Sequence, residues 1–244
     1  MPHTRYQGIL VIPRYSNFLA CAVLVFTTSC ATMKLGAHGT PIDQVPMYGG
    51  LNRQANPLLR AADEQFILGV TKAFGTREIA SGRSVEQGIR FYQLDDDGMA
   101  MKRFNQAWLL NPQNPGAFWG FAIIAHDTGR NCEAREMMER ALGLGLQKPI
   151  ALADAGRIYT LCAVSDESLT AEAKRVYLAQ SDQLYERAIT QAPNNDYIYG
   201  SWATALYWRG DYRSAWEMVA KERTAGGTPS GQFLSILREK MPEP

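Results

Sequence analysis

The chain has 244 residues, 46% hydrophobic and 20% charged, with 25 Lys and Arg against 24 Asp and Glu. That is enough apolar material for a packed core, which excludes wholesale disorder. A net charge of +1 offers little to a phosphate backbone, so a broad nucleic-acid footprint is excluded too.

Residues 1–29 contain no Asp or Glu. Arg5 and Arg14 form a basic start, Phe18 to Phe26 an unbroken apolar run, and Thr27, Thr28 and Ser29 a small-residue end before Cys30. Charge, short apolar core and small residues are the layout of a secretory signal. The run falls well short of the roughly 18 residues that span a bilayer. The Ser29-Cys30 junction resembles a bacterial lipobox, although Thr27 stands where that pattern prefers Leu. The resemblance implies lipidation of Cys30, and Ala31 after it resembles an outer-membrane sorting signal. Cleavage by an ordinary signal peptidase is the alternative. Removing residues 1–29 takes away Arg5 and Arg14 and leaves acidic residues in a majority of one, so polybasic membrane binding is not expected. Residues 30–56, with Gly36, Gly39, Pro41, Pro46, Gly49 and Gly50, show no period and read as a flexible tether.

Pro57 to Phe74 is amphipathic and is followed by Gly75, so a capping helix is expected within 57–80. A template then recurs. Gly88, Phe91, Ala100, Phe104 and Ala107, ahead of Pro112, align with Ala122, Ala125, Ala134, Met138 and Ala141. It restarts at Asp196 with Tyr199, Ala203, Leu206, Gly210, Ala215 and Val219. A third, distorted unit has Leu152, Gly156 and Tyr159, then Tyr185, Ala188 and Pro193, with Val164–Thr170 as an enlarged loop and a lengthened second helix capped by Ser168 or Thr170. Small residues at this spacing let two antiparallel helices cross closely. Pro112, the Asn114-Pro115 pair and Pro193 punctuate the helices.

This pattern resembles the tetratricopeptide repeat, whose period is about 34 residues. The usual first-helix Trp is missing: Ser84, Phe118, Leu152 and Tyr199 take its place. The run Gly98–Pro112 also looks like bacterial repeat lipoproteins. The resemblance implies an all-α superhelix, an α-α solenoid. Four units are expected over 81–229 (81–114, 115–148, 149–195 with the insertion, 196–229), with a C-terminal capping helix and tail over 228–244. Phe233, Leu234 and Leu237 share one face of that last helix.

Chemistry is sparse. The histidines are His3, His38 and His126, and no two are spaced as zinc ligands. There is no phosphate-binding Gly-rich loop and no nucleophile elbow. No cofactor and no metal are expected. Asp95, Asp96 and Asp97 read as an inter-helix turn, because calcium needs further spaced oxygens. Cys132 and Cys162 sit at helix ends on one edge of adjacent units, and either a disulfide or two buried thiols fits.

What remains is a surface. In such superhelices the first helix of each unit forms the inner wall. Register places Val85, Ile89, Tyr92, Trp119, Ile123, His126, Arg157, Thr160, Tyr197, Thr204, Tyr207 and Trp208 there. We expect Tyr92, Trp119, His126, Arg157, Tyr207 and Trp208 as partner-binding groove residues, aromatic anchors with an Arg for a carboxylate. Val85 and Ile89 stand where the carboxylate clamp of chaperone co-factors needs Lys and Asn, which disfavours capture of that type. The expected function is a non-catalytic scaffold or adaptor, an outer-membrane lipoprotein facing the periplasm and binding an envelope protein. One alternative is a periplasmic immunity or inhibitor protein capping a toxin or enzyme. The other is an envelope enzyme using His126, Asp127 and Arg157, which would need a pocket joining all three.

Overall fold

The computed structural model describes residues 41–47 and 52–244. The signal, Cys30 and most of the expected tether lie outside those residues. Among the described residues the chain forms ten α-helices. They are α1 Pro57–Phe74, α2 Arg77–Gln93, α3 Asp97–Leu110, α4 Pro115–Asp127, α5 Asn131–Gly143, α6 Pro149–Ser165, α7 Ala171–Gln191, α8 Asp196–Trp208, α9 Tyr212–Thr224 and α10 Gly231–Lys240. No helix among them is long and apolar enough to cross a membrane.

Six of the ten helices start where a side chain satisfies a first free N–H group. Asn56 accepts from Leu58 and Leu59 before α1, Thr76 from Ile79 before α2, and Asp96 from Met99 before α3. Asn114 accepts from Gly116, with Pro115 pre-set at the first position of α4. Thr170, of the two expected caps, accepts from Ala173, while Ser168 bonds Asp166 instead. The turns inside three of the four pairs use one left-handed residue. Gly129 and Gly210 supply it at φ 79° and 84°, and Asp95 does so at φ 62°. The three consecutive aspartates are thus a turn residue, a cap and a first-turn residue of α3.

Helices pair as α2–α3, α4–α5, α6–α7 and α8–α9, and the pairs stack through α3–α4 and α5–α6. At the last junction α6–α8 contact dominates and α7 barely meets α8. The insertion causes this. It goes mainly into helix, giving α6 17 residues and α7 21 against 13 for α4 and α8, and only 166–170 remain as a loop. The enlarged loop expected over 164–170 is therefore short. Arg209 ties the long α7 back by donating to both oxygens of Asp182, at 2.8 and 3.0 Å.

The crossings are made by small residues. Ala100, Ala122, Ala134, Ala203 and Ala215 are wholly buried. Phe104 is wholly buried between Gly88 and Gly120, where an added Cβ would lie 2.5 and 2.2 Å from its ring. The Tyr185 ring faces Gly156 in the same way, at 2.6 Å. A ring enclosed on both sides cannot yield, so these glycines set the closest helix approaches.

The ends differ from each other. Phe233 and Leu237 of α10 bury against α8 and α9, and Trp216 Nε1 donates to the Met241 carbonyl at 3.1 Å. The N-terminal end is sealed less fully, because Leu58, Leu68, Phe74 and Ile79 stay exposed. Part of the expected tether is docked here. Asn105 of α3, 4% exposed, donates to the Asp43 and Val45 carbonyls and accepts from Met47 N–H, each at 2.9 Å. Lys102 pairs with Asp43 at 2.7 Å, and Arg53 pairs with the buried Asp63 of α1. A buried amide with both ends engaged makes 41–47 a strap on the first unit.

Candidate functional site: a buried polar cluster and an acidic pocket

Inward-facing residues of α2, α4, α6 and α8 do come together, but most are internal rather than exposed. Tyr92, Trp119 and His126 are 7%, 6% and 9% exposed. Arg157 is held by neighbours. Tyr207 is half-buried against Trp208, Tyr212 and Phe233, leaving Trp208 at 41% as the exposed aromatic of the expected groove set. The first helices crowd closely enough to bury one another's inner faces, so the aromatics complete the wall instead of projecting from it.

Asp154 of α6 is the hub and was not anticipated. It is 3% exposed. Trp119 Nε1 donates to its Oδ2 at 2.9 Å and Arg157 to its Oδ1 at 3.2 Å, and the Tyr197 hydroxyl donates to the same Oδ1. Arg157 also reaches the Tyr197 hydroxyl at 3.2 Å and Ser201 Oγ at 3.5 Å, and Tyr185 bonds Ser201 at 3.0 Å. The cluster ties α4, α6, α7 and α8 across two unit boundaries. Burial pushes the Tyr197 phenol well above the usual tyrosine range, so it stays neutral and donates.

His126 sits at the end of α4, its Nδ1 2.9 Å from Asn131 Oδ1. Burial, followed by the charge on Arg157, lowers its pKa to about 4. A buried imidazole bonded to an amide is a neutral structural group.

The pocket lies elsewhere, where the α9–α10 turn folds over the N-terminal ends of α6 and α8. It encloses about 420 Å³. Ile150, Asn195, Asp196, Tyr197, Gly200 and Thr204 form one side, and Glu222, Gly226, Gly227, Thr228, Ser230 and Phe233 the other, with Gln93 of α2 at the edge. None of His126, Asp127 and Arg157 lines it. Burial, then the neighbouring Asp196, raises the Glu222 pKa to about 7, and Arg223 only partly offsets this.

Glu222 and His126 bias stability in opposite directions. Folded His126, near 4, lies below its unfolded 6.5, so its contribution is full above 6.5 and is lost as pH falls toward 4. Folded Glu222, near 7, lies above its unfolded 4.5, so its contribution is full below 4.5 and is lost as pH rises through 7. Between pH 4.5 and 6.5 the two slopes oppose. We expect a nearly flat melting temperature for wild type over that window. Glu222→Gln should unmask a decline on acidification, worth about 3 kcal/mol in full for His126. His126→Gln should reverse the slope. Parallel profiles for all three proteins would refute the assignment.

No known family model matches this sequence, and no curated protein matches it. Among solved structures, a thermophilic tetratricopeptide-repeat protein of Thermus thermophilus is similar, with a TM-score of 0.54 and 19% identity over 66% of this chain and 80% of that one. That likeness, with the paired helices and small-residue crossings, defines the class: an all-α solenoid of tetratricopeptide type.

Proposed function

We propose that this chain is a non-catalytic adaptor of the cell envelope, held to a membrane by lipid on Cys30, that binds a protein partner along its inner wall. The observation that carries the reading is the open pocket between the first helices α6 and α8 and the α9–α10 turn of a tetratricopeptide-type solenoid. A packed wall with an open recess serves recognition, since a rigid scaffold positions a partner segment without ordering itself. The Cys132–Cys162 disulfide and the Ser29-Cys30 junction support an exported location. Fold alone never assigns a reaction, and none of His126, Asp127 and Arg157 lines this pocket.

The test is site-specific photocrosslinking in cells, with the crosslinker at Thr204 beside the pocket or at Leu144, an exposed control at the end of α5. A discrete protein adduct from Thr204, absent from Leu144, is expected. Equal or absent labelling at both would refute the inner wall as the binding face.

A further inference from the structure

Three unsatisfied acceptors converge on the pocket. Asp196 opens α8 and Glu222 lies in the last turn of α9, and neither side chain has an ion-pair or hydrogen-bond partner among the described residues. The Oδ1 of Asn195 is buried and likewise has no partner. Thr204 adds a fourth acceptor, because its hydroxyl hydrogen is committed to the Gly200 carbonyl at 3.0 Å. No Lys, Arg or His lines the pocket. The buried Asn195 oxygen and the part-buried Glu222 carboxyl cost free energy left this way, and a second carboxylate alongside costs more.

Space is kept open beside them. A Cβ on Gly200 would stand 3.0 Å from the Glu222 carboxyl. One on Gly227 would stand 2.6 Å from the Asp196 Cβ and 3.0 Å from its Oδ2. Side chains at either position would crowd the carboxylates out of their present places. The walls away from the acids are Ile150, Tyr197 and Phe233, suited to a methylene stem or a planar cation. A divalent metal fits less well, because calcium takes about six to eight oxygens and the pocket has only the Asp196 and Glu222 carboxylates. The volume is in the range of ligand pockets, roughly 300–1,000 Å³.

We propose that this pocket receives a basic side chain, the ammonium of a lysine or the guanidinium of an arginine, from the protein partner lying along the inner wall. The inference rests on the scaffold reading and adds the chemistry of its recognition. Lysine brings three donors and arginine five, enough for Asp196, Glu222 and the Asn195 oxygen together. A cation also removes the repulsion between the two carboxylates. The raised pKa of Glu222 fits a carboxyl that lacks its counter-charge in the free protein.

The experiment uses the full chain and three blocked peptides, acetyl-Ala-Lys-Ala-amide, acetyl-Ala-Arg-Ala-amide and acetyl-Ala-Gln-Ala-amide, with n-butylamine as the free amine. Binding is read from the amide resonances of Gly200 and Gly227. The Lys or Arg peptide should shift both resonances, and the Gln peptide neither. Glu222→Gln and Asp196→Asn should each weaken that binding at least tenfold with helicity unchanged. Asp196 is exposed, so Asp196→Asn removes no buried charge. No shift with either basic peptide, or affinity unchanged in both variants, overturns the proposal. So does n-butylamine binding as tightly as the peptides, which would make this a site for free amines. Crosslinking from Thr204 then separates the two readings. A wild-type adduct that persists undiminished in Glu222→Gln overturns the basic-side-chain inference and leaves the scaffold standing, whereas an adduct lost with Glu222→Gln supports both.

Discussion

Asp154→Ala should destabilise the protein by about 3–5 kcal/mol, the usual cost of leaving one partner of a buried ion pair uncompensated. Asp154 is 3% exposed and takes donors from Trp119, Arg157 and Tyr197. Its removal leaves a guanidinium with little access to water and an indole N–H with no acceptor. For a domain of this size that corresponds to a fall in melting temperature of roughly 10 °C or more. Asp154→Asn should cost less, because the amide oxygen still accepts, though its NH₂ then faces the donors of its neighbours. Trp119→Phe should cost less again, since it keeps most of the ring and loses one hydrogen bond worth about 1 kcal/mol. The order Ala, Asn, then Trp119→Phe is the check. A loss for Asp154→Ala below about 1 kcal/mol would mean water reaches Arg157 and the hub is not closed.

The repeat register was legible because it is a steric demand. Where helices cross, only Gly or Ala fits, so Gly88, Ala100, Ala122, Ala134, Gly156, Ala203 and Ala215 mark the crossings in the sequence itself. Caps were legible for a similar reason, since Asn114-Pro115 and Thr170 answer a local need for acceptors and a fixed φ. Exposure was not legible. Periodicity puts Trp119, His126 and Arg157 on inward faces correctly, but burial depends on how tightly successive first helices close up. That is a sum over successive unit boundaries, and the insertion changes one of them. Asp154 was missed because an acidic residue in a helix ordinarily reads as solvated. Its signal was context, with alanines at 151, 153 and 155 around it and Arg157 one turn on as its partner. Asn105 was missed likewise, its carbonyl partners lying 62 and 60 residues away. The pocket left one trace in the sequence, the pair Gly226-Gly227 ahead of α10. Its acids come from two helices and meet only in three dimensions.

Removing the Cys132–Cys162 bond should be the other large loss, roughly 3–4 kcal/mol for a closed loop of about 31 residues in the chain-entropy account. The two residues lie in the first turn of α5 and the last turn of α6, with Cα atoms 4.7 Å apart and a sequence separation of 30. The bond therefore clamps unit two to unit three just before the insertion, where stacking of the next pair relies mainly on α6–α8 contact. Its effect belongs mostly to the unfolded chain, which gives the test a second readout. Without the bond the denatured state is more expanded, so the denaturant slope should rise while the midpoint falls. Replacing both cysteines with alanine should reproduce the reduced protein in both respects. Peptide mapping of exported protein, alkylated under denaturing conditions without reductant, should find 132 and 162 unlabelled. Labelling of both would show that the bond does not form in the cell. It would also remove one of the two supports for an exported location, leaving the Ser29-Cys30 junction to carry that reading.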